Sequence, residues 1–337
     1  MPTIANSIGF CFRNTNLFVH AVLPRKFYLI GLMLTLCPLF TVKAQDSDDV
    51  IRVDTELVPF EITVTDRKNN PVRGLESKDF KLYEDGTERT IEFFEPVKKG
   101  GRPLTVVFAL DVSGSVTLEE LGKLREAMQN FTNNLGGYDA YFAVMTFGTQ
   151  VKILQSFTNR PDKLEKTFNK LLREQDGGST HAYDAVDDAI RLLKRKSPSV
   201  IKNKLPKRAV VLITDGFPVG DTVSPKTVIE RANDSGTSVY SVILPSFSRM
   251  QRDKKPLLTL LEASGLLDKT GGGAFYAGEK SFDSLFKSLA EEITSSYIVA
   301  FYPKPNNRLD GKFHQVRIEV PKGFNIKQNR SGYEIKR

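Results

Sequence analysis

The chain has 337 residues, 40% hydrophobic and 26% charged, which is long enough for two domains with separate cores and too ordinary in balance for a disordered or membrane-filling protein. The formal charge is +8, but Arg13, Arg25, Lys26 and Lys43 stand in an acid-free stretch over 1–44, so half of the excess lies there. The remainder is too small to argue for nucleic-acid binding and reads as solvated surface.

Taken in chain order, Arg25-Lys26 precede an apolar stretch from Phe27 to Val42, and Val42-Lys43-Ala44 suits a signal peptidase. Residues 1–44 are therefore expected to be an export signal cleaved before Gln45, with a retained anchor as the alternative. The expected location is secreted, periplasmic or at the cell envelope. Both cysteines, Cys11 and Cys37, fall in this segment, so the mature chain would hold no disulfide and no thiol ligand. Leu36, where a small residue is needed, speaks against a lipid anchor on Cys37.

From 50 to 96 the pattern has period two. Val58, Phe60, Ile62 and Val64 alternate with Pro59, Glu61, Thr63 and Thr65, which predicts a half-buried antiparallel strand, with Pro59 suggesting an edge. Phe80–Tyr83, the Asp85-Gly86 turn and Ile91–Phe93 read as a hairpin, and residues 98–103 as a linker. Thr105–Leu110 is a continuous apolar run, as in a strand covered on both faces. Leu118, Leu121, Leu124, Met128, Phe131 and Leu135 then form a helical stripe. Tyr141–Phe147 and Val151–Phe157 are strands so closely joined that only a hairpin fits, which makes the second an antiparallel edge.

Helices are predicted at 162–172, 182–194, 224–235, 257–270 and 282–293, and strands at Ala209–Ile213, Val239–Leu244 and Ala274–Tyr276. Such alternation implies a doubly wound, mostly parallel α/β sheet with one antiparallel edge strand. Period two returns at Ile298–Tyr302 and Val316–Val320. Neither β segment is long enough to stand alone. Residues 50–96 and 297–337 are therefore expected to pack as one small antiparallel β-sandwich into which the α/β domain, 103–296, is inserted.

In such sheets ligands bind beyond the carboxyl ends of the strands. Asp111-Val112-Ser113-Gly114-Ser115 and Thr214-Asp215-Gly216 each follow a strand, and Gly177-Gly178-Ser179-Thr180 opens a helix. Two carboxylates and three hydroxyls are hard oxygen donors that suit Mg²⁺, Mn²⁺ or Ca²⁺. The candidate metal set is Asp111, Ser113, Ser115, Thr180 and Asp215. With only two formal negative charges, an acidic group from a partner could complete the coordination.

These motifs, DVSGS at 111–115, Thr180 in GGST and TDG at 214–216, resemble the metal-ion-dependent adhesion site of von Willebrand factor A (VWA) domains, which also occur in integrins. The resemblance covers about 103–296. It implies a Rossmann-like fold, direct or water-mediated metal contacts from the serines and the threonine, and direct or outer contacts from the aspartates. More narrowly, 64–86 and 297–320 are similar to the flanks of the domain in secreted bacterial VWFA-related proteins, which sharpens the architecture more than the role.

Other features weigh less. His181 reads as a rim residue and His314 as a strand-face residue. A nucleophile–base pair is hard to assemble from them, and no phosphate-binding glycine loop is present. Asp184, Asp187 and Asp188 read as a solvated helix face, with Asp184 alternatively supporting the Thr180 loop. Lys194, Arg195, Lys196, Lys202, Lys204, Lys207 and Arg208 read as a solvated loop or a dock for an anionic envelope surface. Phe217, Phe247, Arg249, Met250 and Arg252 are the expected partner rim. The leading functional expectation is an exported, cation-dependent protein-binding module for adhesion or scaffolding. The alternatives are a metal-assisted hydrolase, which would need a general base that is not evident, and a structural envelope protein.

Overall fold

The computed structural model describes residues 57–68, 70–98, 101–113, 118–171, 178–244, 258–277, 281–307 and 310–335. The expected export signal and its cleavage site lie outside them. The elements are β1 (Val58–Thr65), β2 (Lys81–Glu84), β3 (Thr87–Arg89), β4 (Phe93–Glu95), β5 (Leu104–Asp111), α1 (Leu118–Asn134), β6 (Ala140–Phe147), β7 (Val151–Thr158), α2 (Pro161–Leu171), α3 (Ala182–Lys196), β8 (Lys207–Thr214), α4 (Pro225–Ser235), β9 (Thr237–Ile243), α5 (Leu260–Ala263), α6 (Leu266–Lys269), β10 (Ala274–Tyr276), α7 (Phe282–Ile293), β11 (Ser296–Phe301), β12 (His314–Glu319), β13 (Asn325–Gln328) and β14 (Gly332–Tyr333).

The central sheet has the order β10-β9-β8-β5-β6-β7. Its neighbours run parallel except β7, which returns antiparallel to β6. The continuous apolar runs are explained by helices on both faces. Val106, Phe108 and Leu110 of β5 join the core under α1, α2 and α7, while Val107 and Ala109 join the core under α3 and α4. Strand β8 divides the same way, with Ala209, Val211 and Ile213 on one side and Val210 and Leu212 on the other. Successive side chains of a strand point to opposite faces, so a strand covered twice must be apolar at every position.

Two further sheets are antiparallel, ordered β13-β1-β11-β4 and β14-β12-β2-β3. Each mixes strands from before and after the α/β segment. Phe60, Ile62, Tyr297, Val299 and Phe301 of the first share a core with Leu82, Val316, Ile318 and Tyr333 of the second. The chain is thus a doubly wound α/β fold inserted into a small antiparallel β-sandwich.

Several expectations change. Strand β1 lies between β13 and β11, so Pro59 is not on an edge strand. Its missing N–H is tolerated because β13 pairs only from Ile62 onward, and beyond that point Arg330 Nη2 donates to the Pro59 carbonyl at 2.5 Å. The hairpin partner of β2 is β3 and not 91–93; β4 instead crosses to pair with β11. The helix expected over 257–270 is two short helices, parted at Gly265 in the left-handed region (φ 74°). Asp187 is not solvated: it is buried and paired with Arg231 of α4 (2.6 Å) and Arg191 (2.8 Å). Lys207 is not in a solvated loop either. It opens β8, is 2% exposed, and donates to Ser296 Oγ at 3.0 Å.

Candidate metal centre

Asp111 is the last residue of β5, the middle strand where the sheet order turns, and it is buried. Its Oδ1 accepts the N–H of Ser113 at 3.0 Å, and its Oδ2 accepts the hydroxyl of Thr214 at 2.7 Å. Thr214 ends the neighbouring parallel strand β8 and is fully buried. Parallel register alone brings these two together. Sequence reasoning quoted Thr214 within its motif but gave it no role; its position one residue before Asp215, at the end of a buried strand, was the available signal.

Thr180 arrives from the loop before α3. Its hydroxyl donates to Ser113 Oγ at 3.1 Å. Its carbonyl accepts the N–H of Val219, 2.9 Å, from the loop after β8. The next residue, His181, donates its N–H to the carbonyl of Gly148 in the β6–β7 connection (3.3 Å). Asp215 follows β8, is half-buried, and accepts the N–H of Phe217 at 3.1 Å on Oδ1. Gly216 must be glycine: its φ is 84°, and a Cβ there would lie 2.7 Å from Thr259 Cγ2.

The electrostatics follow from the burial. Desolvation pushes the Asp111 carboxyl above its usual range, and the neighbouring Asp215 charge adds to this, against hydrogen bonds from Ser113 and Thr214. Among the described residues no Lys, Arg or His pairs with Asp111 or Asp215. A buried carboxylate beside a second carboxylate, with two hydroxyls in reach, is a donor set short of positive charge. It fits a hard dication, which prefers such oxygen ligands. No three His, Cys, Asp or Glu residues gather into a metal-holding group among the described residues, so any site here depends on hydroxyls.

The structure therefore brings Asp111, Ser113, Thr180 and Asp215 to one edge of the sheet. Ser115, Phe247, Arg249, Met250 and Arg252 lie outside the described residues. Both flanks of the segment carrying those last four are anchored at the site: Leu244 N–H donates to the Thr214 carbonyl at 2.8 Å, and Leu261 N–H to the Gly216 carbonyl at 3.3 Å. Phe217 is half-buried beside Asp215. His181 stands at the N-cap position of α3 without a side-chain capping bond, its Nδ1 3.4 Å from Asp184 Oδ2.

Residues 105–269 match the family described as von Willebrand factor type A domain. The heavy chain H4 of the pig inter-alpha-trypsin inhibitor is 24% identical over 160 residues, which is 47% of this chain and 17% of that protein. Human integrin alpha-D is 24% identical over 140 residues, 41% of this chain and 12% of the integrin. The chain thus spans less than a fifth of the length of these relatives. Among solved structures, an aerotolerance-related membrane protein from Bacteroides fragilis superposes with a TM-score of 0.42 at 18% identity, covering 56% of this chain and 98% of that one. With the sheet order and the family match in agreement, residues 105–269 of this chain are a von Willebrand factor type A domain.

Proposed function

We propose that Asp111, Ser113, Ser115, Thr180 and Asp215 hold one divalent cation, Mg²⁺ first and Mn²⁺ or Ca²⁺ as alternatives, and that the domain uses it to grip a protein partner through an Asp or Glu side chain. The observation that carries this reading is the buried carboxylate of Asp111 at the strand edge, paired with no Lys, Arg or His among the described residues, next to Asp215 and the hydroxyls of Ser113 and Thr180. When bound, the cation would supply a hard positive centre for an incoming carboxylate. The chain's own residues do the rest: Thr214 and the Ser113 N–H orient Asp111, and the Val219–Thr180 hydrogen bond fixes the threonine.

Binding, not catalysis, is the reading we adopt. His181 is the titratable base nearest Thr180 in sequence, but its ring lies between Asp184 and Gly220, where a Cβ would stand 2.7 Å from Nε2. Its position gives no reason to treat it as a general base. The partner rim is assigned to Phe217 and to the segment bearing Phe247, Arg249, Met250 and Arg252, because the flanks of that segment are fixed at the Thr214–Gly216 turn. We place the protein outside the cytoplasm on the strength of the export-signal pattern at 1–44; no helix among the described residues is long and apolar enough to cross a membrane. Contact with an anionic envelope surface would fall to Lys194, Arg195, Lys196, Lys202, Lys204 and Arg208, since Lys207 is buried.

The test is a Mg²⁺-dependent crosslinking pull-down from an envelope fraction with the full chain. Capture is expected to disappear with EDTA and with Asp111→Ala. Capture that is indifferent to both overturns the mechanism.

A further inference from the structure

Thr180 comes from the segment that leads into α3, and Asp215 from the loop that follows β8. In the loop from Asp215 to α4, Val223 packs against the core under α3 and α4, while Val219, Gly220, Thr222 and Ser224 are exposed. Its position therefore also depends on polar contacts. Asp184, in the first turn of α3, supplies most of them. Its Oδ1 accepts the N–H of Val223 at 2.8 Å, the N–H of Thr222 at 3.1 Å and the Thr222 hydroxyl at 3.0 Å. Its Oδ2 accepts the Thr222 N–H at 3.0 Å. In return the N–H of Asp184 donates to Asp221 Oδ1 at 2.9 Å.

A carboxylate offers about four acceptor sites, and three loop donors use them: the Val223 N–H, the Thr222 hydroxyl and the Thr222 N–H, which both oxygens share. Burial opposes ionisation of Asp184, but the N–H groups of Thr222 and Val223 outweigh it and hold the carboxyl below its usual range. Four residues upstream of Asp184 the Thr180 carbonyl receives Val219 N–H from the same loop. Between these two ties lies Gly220, with φ 90° and the His181 ring against it, so the chain there cannot be relaxed by a side chain.

We infer that Asp184 is a positioning residue for the proposed cation site: by bracketing 221–223 onto the start of α3 it fixes Asp215 relative to Thr180 and so sets the cation affinity. The inference rests on the cation reading above. It assigns the effect to hydrogen-bond geometry and not to the negative charge of Asp184, whose oxygens face the donors of the loop.

The experiment is a calorimetric Mg²⁺ titration of the full chain and of Asp184→Ala, Asp184→Asn and Gly220→Ala. It is accompanied by melting curves and amide exchange of Thr222 and Val223 in metal-free protein. Asp184→Ala is expected to weaken Mg²⁺ about tenfold, as loss of an outer partner does, and to raise exchange at Thr222 and Val223. Asp184→Asn keeps Oδ1 as an acceptor but puts a donor where Oδ2 shares the Thr222 N–H, and is expected to fall between wild type and Asp184→Ala in both. Gly220→Ala is expected to weaken Mg²⁺ from the loop side. An Asp184→Ala protein that is folded, exchanges faster at the loop and yet binds Mg²⁺ as wild type overturns the inference alone. An Asp184→Asn protein that binds Mg²⁺ as weakly as Asp184→Ala while Thr222 and Val223 exchange as in wild type also overturns it, because charge would then be the cause. A wild-type chain with no Mg²⁺ binding overturns the cation reading and this inference with it.

Discussion

His314 shows how much a single residue's partners matter. It opens β12 and is buried, with Nδ1 2.7 Å from Asp85 Oδ2 and Nε2 3.1 Å from Asp310 Oδ1. A neutral imidazole donates from only one nitrogen, so two carboxylates on opposite sides favour the imidazolium. They do not converge on a common point, which suits a clamp and not a metal. Burial lowers the His314 pKa, but the hydrogen bonds and charges of Asp85 and Asp310 outweigh it, and the net shift is upward. A raised folded value means that the stabilisation is complete below the unfolded value, about 6.5, and is lost as pH rises through the folded one. His314→Gln should therefore lower the melting temperature more at pH 5.5 than at pH 9. An equal drop at both would show that the charge contributes nothing. The sequence placed His314 on a strand face but could not show the two acids, which lie 229 and 4 residues away.

At the scale of elements, glycine decides where the last part of the α/β domain turns. Gly265 parts α5 from α6 and takes φ 74°, which a continuous helix cannot contain. After α6, Gly271 takes φ 70° and Gly272 presses on β9, where a Cβ would meet the Val239 carbonyl oxygen at 1.8 Å. Backbone cannot move aside as a flexible side chain can. Gly272→Ala should cost about 3 kcal/mol, at the upper end of overpacking effects, lowering the melting temperature by roughly 6–12 °C. A thermal melt within about 2 °C of wild type would contradict this. The apolar spacing over 257–270 looked like one helix because Leu261, Leu266 and Leu267 are all buried against the same core. Periodicity reports burial, and here two short helices bury one face together.

At the scale of the molecule, the sandwich and the α/β layer are joined by an ionic cluster of the buried Lys207 and the half-buried Glu61 and Arg102. Glu61 of β1 pairs with Arg102 at 2.6 Å and lies 3.7 Å from Lys207 of β8. Burial opposes ionisation of Glu61, but Arg102 and Lys207 outweigh it and its carboxyl is held below the usual range. Removing one partner of such a cluster strands the other charge, so Glu61→Ala should destabilise by about 3–5 kcal/mol in urea unfolding at neutral pH. A loss under about 1 kcal/mol would place the cluster among weak surface pairs. The strand pairings make a second prediction. Since β1 lies between β11 and β13, and β2 pairs with both β3 and β12, a protease site engineered near Gly100 should yield two fragments that co-elute on size exclusion. Free dissociation of the N-terminal fragment would refute a shared sandwich.

The α/β alternation, the antiparallel edge strand and the three motifs are legible in the sequence, because strand and helix periods and turn residues are local properties of the chain. The sequence also pointed to Asp111, Ser113, Ser115 and Asp215, since residues at the carboxyl ends of adjacent parallel strands must meet, and to Thr180 through the GGST loop at a helix start and its family resemblance. Only the tertiary structure decided that Asp187 and Lys207 are buried, that β1 is not an edge strand, and that Thr214 and Asp184 hold the site's loops. Those outcomes depend on partners distant in sequence: Arg231 for Asp187, Glu61 for Lys207, β13 for β1 and the 221–223 loop for Asp184. A charge or a proline carries no local mark of the partner that will face it, and burial of either becomes favourable only once that partner is in place.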